Sequence, residues 1–202
     1  MITNSPGIQG LKQRTDLAKH LISTVIEGDT SDDEDTYAIL DIGSGSGTYG
    51  FHALGKLQAE EGHLTNLDLD EDALQISKDL GKKSGLNSNI DYVNEEAVSY
   101  LNRTRRRFNL VVSIGILDFM ADDQAIHFLD KVGKQLRRGN YLITSATDSY
   151  RFIGFTRLAG MEDLTPRTEE DFSNLLAEAG YTDLEVVTDR SGTQHVARAR
   201  VK

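Results

Sequence analysis

Apolar residues recur at helical spacing near the start of the chain, where Leu11, Leu17, Ala18, Leu21, Ile22, Val25 and Ile26 form one stripe. The stripe predicts an amphipathic helix over 11–26, preceded by a turn at Ser5-Pro6-Gly7. Residues 27–35 are almost wholly polar and acidic and read as a solvated linker. Compact apolar runs then alternate with helical patterns. Strands are predicted at 37–42, 64–69, 90–93, 110–114 and 141–145, with helices at 48–61, 71–83, 95–102 and 122–136 between them. Gly139-Asn140 is read as the turn into the fifth strand. A last helix over 169–179 takes Gly180 as its C-cap. Strands at 184–188 and 195–201 are joined by a turn at 189–192.

Alternating strands and helices predict a parallel sheet covered on both faces, an α/β/α sandwich. The last two strands are too close in sequence for a parallel crossover, so they must be antiparallel neighbours. The expected fold is a doubly wound, seven-stranded, mostly parallel sheet with an antiparallel C-terminal hairpin. Its 202 residues suit one core and are short for two. The expected division is an N-terminal helix and acidic linker over 1–35 and one ligand-binding domain over 36–202.

Composition narrows the function. A formal charge of -10 repels phosphate backbones and argues against a nucleic-acid partner. The one basic cluster, at 103–107, falls where a helix ends and complements its dipole. With no cysteine, disulfides, zinc-thiolate sites and cysteine nucleophiles are excluded. The first residues carry neither a basic nor an apolar signal region, and no apolar run is long enough to span a bilayer. A cytoplasmic protein with no membrane partner is the expectation. No grouping of residues suggests a metal site, and oligomeric state stays open.

The chemistry concentrates at Ile39-Leu40-Asp41-Ile42-Gly43-Ser44-Gly45-Ser46-Gly47-Thr48-Tyr49-Gly50. A buried strand delivers its carboxyl end to a glycine-rich turn, and a helix begins at once. Such a turn lets a ligand approach the backbone, and the first N–H groups of the helix suit an anion. In open α/β sheets, ligands lie at the carboxyl ends of the strands where strand order reverses. Gly45 to Gly50 also matches the dinucleotide pattern G-x-G-x-x-G, but here Asp41 stands inside the strand end with Gly43 after it. The next strand ends in Asp68, an acid placed to accept two ribose hydroxyl protons. Asp70 is the expected cap of the helix that follows.

An acidic residue followed by G-x-G-x-G resembles motif I of the class I S-adenosylmethionine (SAM)-dependent methyltransferases, whose fold is Rossmann-like. The resemblance implies SAM as cofactor, with Gly43, Ser44, Gly45 and Gly47 against its aminoacid part and Asp41 holding the ammonium. It implies Asp68 as the ribose acid and Leu69 and Ala97 as the walls around adenine. Glu96 takes the adenine-amine position, usually aspartate in the family, and Glu95 could substitute for it. Asn109 stands where the family carries aspartate. The loop opened by Ser113 and Ile114 would face the methyl group, and it lacks the Asn-Pro-Pro-aromatic sequence of enzymes that methylate DNA adenine or glutamine. Likeness continues through Leu136-Arg137-Arg138-Gly139-Asn140, Arg167 to Phe172 and Ala179-Gly180-Tyr181. Ser5-Pro6-Gly7-Ile8 with Arg14 is similar to a group of methyltransferases of unknown substrate.

SAM carries its own electrophile, so the protein mainly aligns the acceptor, and a base is needed only if the acceptor must lose a proton. Asp118 is the expected base. His52, His127 and His195 are weaker candidates, with Tyr49 and Tyr150 as positioning groups. The irregular segment 147–165, with Tyr150, Arg151, Phe152, Phe155, Arg157 and Met161, reads as a substrate loop or a packed connector. A small-molecule acceptor methylated by direct in-line transfer is the leading expectation. A protein or RNA methyltransferase, or a non-catalytic protein that binds SAM or a nucleotide, remains open.

Overall fold

The computed structural model describes residues 6–29, 36–57, 62–86, 89–148 and 164–201. Helix α1 covers Pro6–Gly28, strand β1 Tyr37–Ile42, α2 Thr48–Leu54, β2 Gly62–Asp68, α3 Glu71–Lys83 and β3 Ile90–Asn94. There follow α4 Ala97–Arg103, β4 Phe108–Ser113, a 3-10 turn Leu117–Phe119, α5 Asp122–Gln135, β5 Leu136–Thr147, α6 Glu169–Glu178, β6 Thr182–Thr188 and β7 Gln194–Arg200. The sheet order is β3-β2-β1-β4-β5-β7-β6. All pairings are parallel except those of β7, which runs antiparallel to both β5 and β6. The C-terminal hairpin therefore folds inward and leaves β6 at the edge.

Strand alternation sends successive side chains to opposite faces. On one face Leu40, Val111, Leu142 and Ala197 pack with Tyr100 and Leu101 of α4, Phe128 and Val132 of α5 and Phe172 and Leu176 of α6. On the other, Ile39, Leu64, Leu110, Ile143 and Val196 pack with Ala18, Leu21, Ile22 and Val25 of α1 and Ala53 and Leu54 of α2. The expected α/β/α sandwich is thus present, and α1 contributes directly to its core.

Local chemistry explains several element ends. Asp70 caps α3 by accepting from the N–H groups of Asp72 and Ala73. Thr168 and Asp171 form a reciprocal capping box on α6. Gly180, with φ +91, stands one residue beyond the α6 cap at Ala179.

Four of the differences from expectation bear on how the sheet is built. Pro6 opens α1 instead of a turn, at a position where its missing N–H removes no helical bond; Ser5 lies outside the described residues. Helix α1 also continues through Glu27 to Gly28, and 30–35 lie outside the described residues. Helix α2 stops at Leu54, because Tyr37 pairs with Gly62 and the chain must be back at the foot of the sheet by then. Finally, no reversal occurs at Gly139-Asn140. The dipeptide lies inside strand β5 as a bulge, where Gly139 takes φ +80 and the register against β4 jumps from Leu136 to Tyr141.

Gly50 shows how closely α2 seats on β2. A β-carbon there would stand 2.8 Å from Asn66 Oδ1 and from Leu64 Cδ1. Gly50→Ala should therefore destabilise the protein by about 1–3 kcal/mol in denaturant unfolding, despite alanine's helix preference of about 1 kcal/mol. Gly28→Ala, where no atom lies within 4 Å of the new methyl, should be neutral or stabilising. Equal effects at the two sites would refute the steric account.

Candidate functional site

The carboxyl ends of β1 and β2 are tied together by the glycine turn. Gly43 N–H and Ser44 N–H both donate to Leu67 O, at 2.8 and 3.2 Å. Gly45 N–H donates to Asp68 Oδ2 at 2.7 Å, and Asp70 N–H to Asp68 Oδ1 at 2.9 Å. Gly47 N–H returns to Ser44 O at 2.8 Å. Gly43, Gly45 and Gly47 all have positive φ, a conformation that side chains resist. A β-carbon on Gly43 would collide with Ile116 Cδ1 at 2.3 Å, whereas Gly45 faces open space. Of the opening N–H groups of α2, expected to suit an anion, that of Gly50 is taken by Asp41, and four N–H groups of the turn, those of Gly43, Ser44, Gly45 and Gly47, hold it in shape.

Asp41 lies beneath this turn, 1% exposed. Its Oδ2 accepts from Gly50 N–H at 2.8 Å, fixing the first turn of α2 against β1. Its Oδ1 is buried without a partner, as is Ser44 Oγ. Burial pushes the Asp41 carboxyl up to about 7; the Gly50 bond opposes that rise and the charge of Asp68 adds to it. An acid in this state, with one oxygen unsatisfied, suits a cationic group.

Asp68 keeps a second lone pair on each oxygen beyond the two backbone bonds it accepts. Beside it Leu69 is 72% exposed, an apolar side chain held in the open. Asn94 fixes that platform by donating from Nδ2 to Asp68 O at 3.1 Å and to Leu69 O at 2.8 Å. Sequence reading passed over Asn94; an amide side chain at a strand end beside the acid-bearing strand was its only signal. Glu96 caps α4, with one oxygen on Val98 N–H and the other on Ser99 N–H, at 2.8 and 2.7 Å. Ala97 opens α4 and packs against the core. Glu95 is bound in a two-point ion pair with Arg103, which leaves it poorly placed to substitute for Glu96.

The carboxyl end of β4 has a different character. Ser113 Oγ is fully buried without a partner. Ile114 packs into the α1 side of the core. Gly115 turns the chain at φ +81 and donates its N–H to Ser145 Oγ at 2.9 Å. Asp118, the expected base, is 3% exposed. Its Oδ1 accepts from Thr147 N–H at 2.8 Å and its Oδ2 from Thr147 Oγ at 2.9 Å, with Arg14 Nη1 3.8 Å away. Burial raises its pKa, while Thr147 and Arg14 oppose the rise. Both oxygens serve to lock the loop after β4 onto β5, so Asp118 presents no open face for taking a proton. Nothing in the local sequence signals this, since Thr147 lies 29 residues away.

The other candidates are dispersed. His52 Nε2 contacts Ser23 Oγ and Lys19 O, joining α2 to α1, and burial pushes its pKa down. His127 lies on α5, exposed. His195 is buried with Nδ1 on Thr188 Oγ at 2.8 Å, across the hairpin. Tyr49 reaches Thr15 of α1 through its hydroxyl at 3.4 Å. Tyr150, Arg151, Phe152, Phe155, Arg157 and Met161 lie outside the described residues. Among the described residues, no helix is long and apolar enough to cross a membrane.

A family model described as a methyltransferase domain matches residues 39–139. Demethylmenaquinone methyltransferase from Bacteroides fragilis is 27% identical over 105 residues, covering 52% of this chain and 41% of that protein. The chain thus spans about two fifths of the length of the curated relatives it matches. A possible exported protein from Bordetella parapertussis superposes with a TM-score of 0.78 at 19% identity, covering 96% of this chain and 69% of that one. Magnesium protoporphyrin IX methyltransferase from Synechocystis PCC 6803, solved with bound SAH, gives 0.68 at 12% identity, with 99% and 96% covered. At these identities the two structural likenesses are likenesses of fold.

The Asp41 carboxyl generates a pH signature. Its folded pKa is above its unfolded value, so the native state binds more protons through the window from about 4 to about 7. Stability from this group is therefore lost as pH rises through that window. Asp41→Asn keeps an acceptor for Gly50 without the charge. Its melting temperature should match the parent near pH 4 and exceed it at pH 8, by about 2–4 °C for each kcal/mol relieved. A difference that does not change with pH would show that Asp41 ionises normally.

Proposed function

Since the chain belongs to the methyltransferase domain family and is of the class I SAM-dependent kind, we propose that it transfers the methyl group of SAM to a small-molecule acceptor by direct in-line displacement. When bound, SAM supplies a methyl on a positive sulfur with a neutral thioether as leaving group. The observation that carries the site assignment is the unpartnered Oδ1 of Asp41, buried beneath the glycine turn and one strand from Asp68.

In this reading Asp41 pairs with the ammonium of the aminoacid part, which restores its carboxyl to the ionised form. Gly43, Ser44, Gly45 and Gly47 shape the wall, with Gly45 leaving the space into which that part fits. Asp68 uses its remaining lone pairs on the ribose hydroxyls. Leu69 and Ala97 border adenine, and Glu96 accepts from its amine with the lone pairs that capping leaves free. Ser113 and Ile114 border the methyl end. Asp118 acts as a positioning residue for the loop beyond them.

A small acceptor is favoured over RNA because the charge of -10 opposes a phosphate backbone. The relatives named for demethylmenaquinone and magnesium protoporphyrin IX also carry small-molecule names. A cytoplasmic setting and the division at residue 35 belong to the same proposal; a chain without cysteine is compatible with a reducing compartment.

Calorimetric titration with SAM, SAH and NAD tests the cofactor. SAM and SAH should bind and NAD should not; a response to NAD alone would reverse the reading. Asp68→Ala should weaken SAM by roughly 10- to 100-fold, the range for lost hydrogen bonds to a charged group. Unchanged affinity would remove Asp68 from the site. Release of SAH in a metabolite screen would then identify the acceptor.

A further inference from the structure

We propose that Arg14 is the acceptor-recognition residue, binding an anionic oxygen of the methyl acceptor over the carboxyl end of β4. This rests on the methyltransferase reading and names the chemical class of its acceptor.

Arg14 projects from α1 across the loop that follows β4. A β-carbon on Gly115 would stand 3.5 Å from Arg14 Nη1 and 3.6 Å from Nη2, so the guanidinium lies against that turn. Its side chain is 18% exposed. Its partners are distant for so buried a cation: Gln194 Oε1 at 3.4 Å and Asp118 Oδ2 at 3.8 Å, both from Nη1. Nε is buried with no partner at all. Arg167, the other buried arginine nearby, is the contrast. Its Nη1 donates to Leu117 O at 2.7 Å, Nη2 to Met120 O at 2.7 Å, and Nε and Nη2 to Asp122 Oδ1 at 3.0 and 2.8 Å. Arg167 is a satisfied structural group. Arg14 is a desolvated fork with donors to give: its ion pair with Asp118 is long, at 3.8 Å, and is made from Nη1, which leaves Nε without a partner.

The position fits the acceptor half of the site. Asp68 and Leu69 place adenosine over β2, so the methyl points across β1 toward β4, and Gly115 is two residues beyond the end of β4. A guanidinium there matches a carboxylate, enolate or phenolate oxygen. It also accounts for the missing base. With Asp118 engaged, an acceptor that arrives ionised needs none. The oxygen's lone pair forms the new O–CH₃ bond, the CH₃–S bond breaks with its pair remaining on sulfur, and both products are neutral at the reacting centre.

Benzoate and benzamide, titrated into the SAH-bound protein and followed by ligand-observed NMR, test the idea. Benzoate should bind saturably and benzamide should not. Arg14→Gln should weaken benzoate by roughly 10- to 100-fold, as for a lost charge-assisted hydrogen bond, while SAH affinity stays unchanged. Arg14→Lys keeps the charge beside Asp118 and loses the planar fork. It should bind benzoate with intermediate affinity, and it decides the question if the glutamine variant melts below the assay temperature. No saturable benzoate binding, or binding indifferent to both substitutions, overturns the assignment and leaves the methyltransferase reading intact. Failure of the parent protein to bind SAH would sink that reading first.

Discussion

The geometry of this molecule turns on one buried hydrogen bond, from the amide of Gly50 to the carboxylate of Asp41. It closes the loop between β1 and α2, and the chain inside that loop must curl tightly enough to need positive φ at Gly43, Gly45 and Gly47. The curl brings Gly45 onto Asp68 and Gly43 onto Leu67, so the same bond sets the spacing between the first two strand tips. A bond of this kind contributes about 1.5–3 kcal/mol, but it holds only half of the carboxylate. The other oxygen lies buried without a partner, at a penalty that a packed apolar residue would avoid. An unsatisfied acid at the end of interior strand β1 is what the proposed site assigns to a partner from outside.

The same logic separates what sequence could disclose from what it could not. The strand ends, the glycine turn, Asp68 and the Asp70 cap all depend on contacts between near neighbours or on a repeated alternation, and they are legible as pattern. Helix α2 is shorter than its pattern because its length is set by the pairing of Tyr37 with Gly62, not by its own propensity. Gly139-Asn140 falls within β5 because Val201 bonds both residues, accepting from Gly139 N–H and donating to Asn140 O, a partner that the dipeptide alone would not anticipate. Asp118 looked like a base because it follows β4. Its burial and its two bonds to Thr147 arise from the adjacency of β4 and β5, which leaves no trace in the residues around it.

The two halves of the proposed site also differ in how they are encoded. Contacts on the adenosyl side link Asp41 with Gly50, Gly45 with Asp68 and Glu96 with Val98, separations of 9, 23 and 2 residues. All lie inside residues 39–139, the segment shared with the family. On the acceptor side, Gly115 meets Ser145, Asp118 meets Thr147 and Arg14 meets Gln194, the last across 180 residues. Each of these pairs has at least one member outside the shared segment. On the proposed reading, a common cofactor is served by a local motif, while the acceptor is read by side chains that α1, β5 and β7 bring from the rest of the chain. In that division of labour, a relative can share the glycine turn and the ribose acid without sharing the acceptor. The acceptor's chemistry is then to be sought in what surrounds Gly115, where the guanidinium of Arg14 lies with its Nε buried and unpartnered.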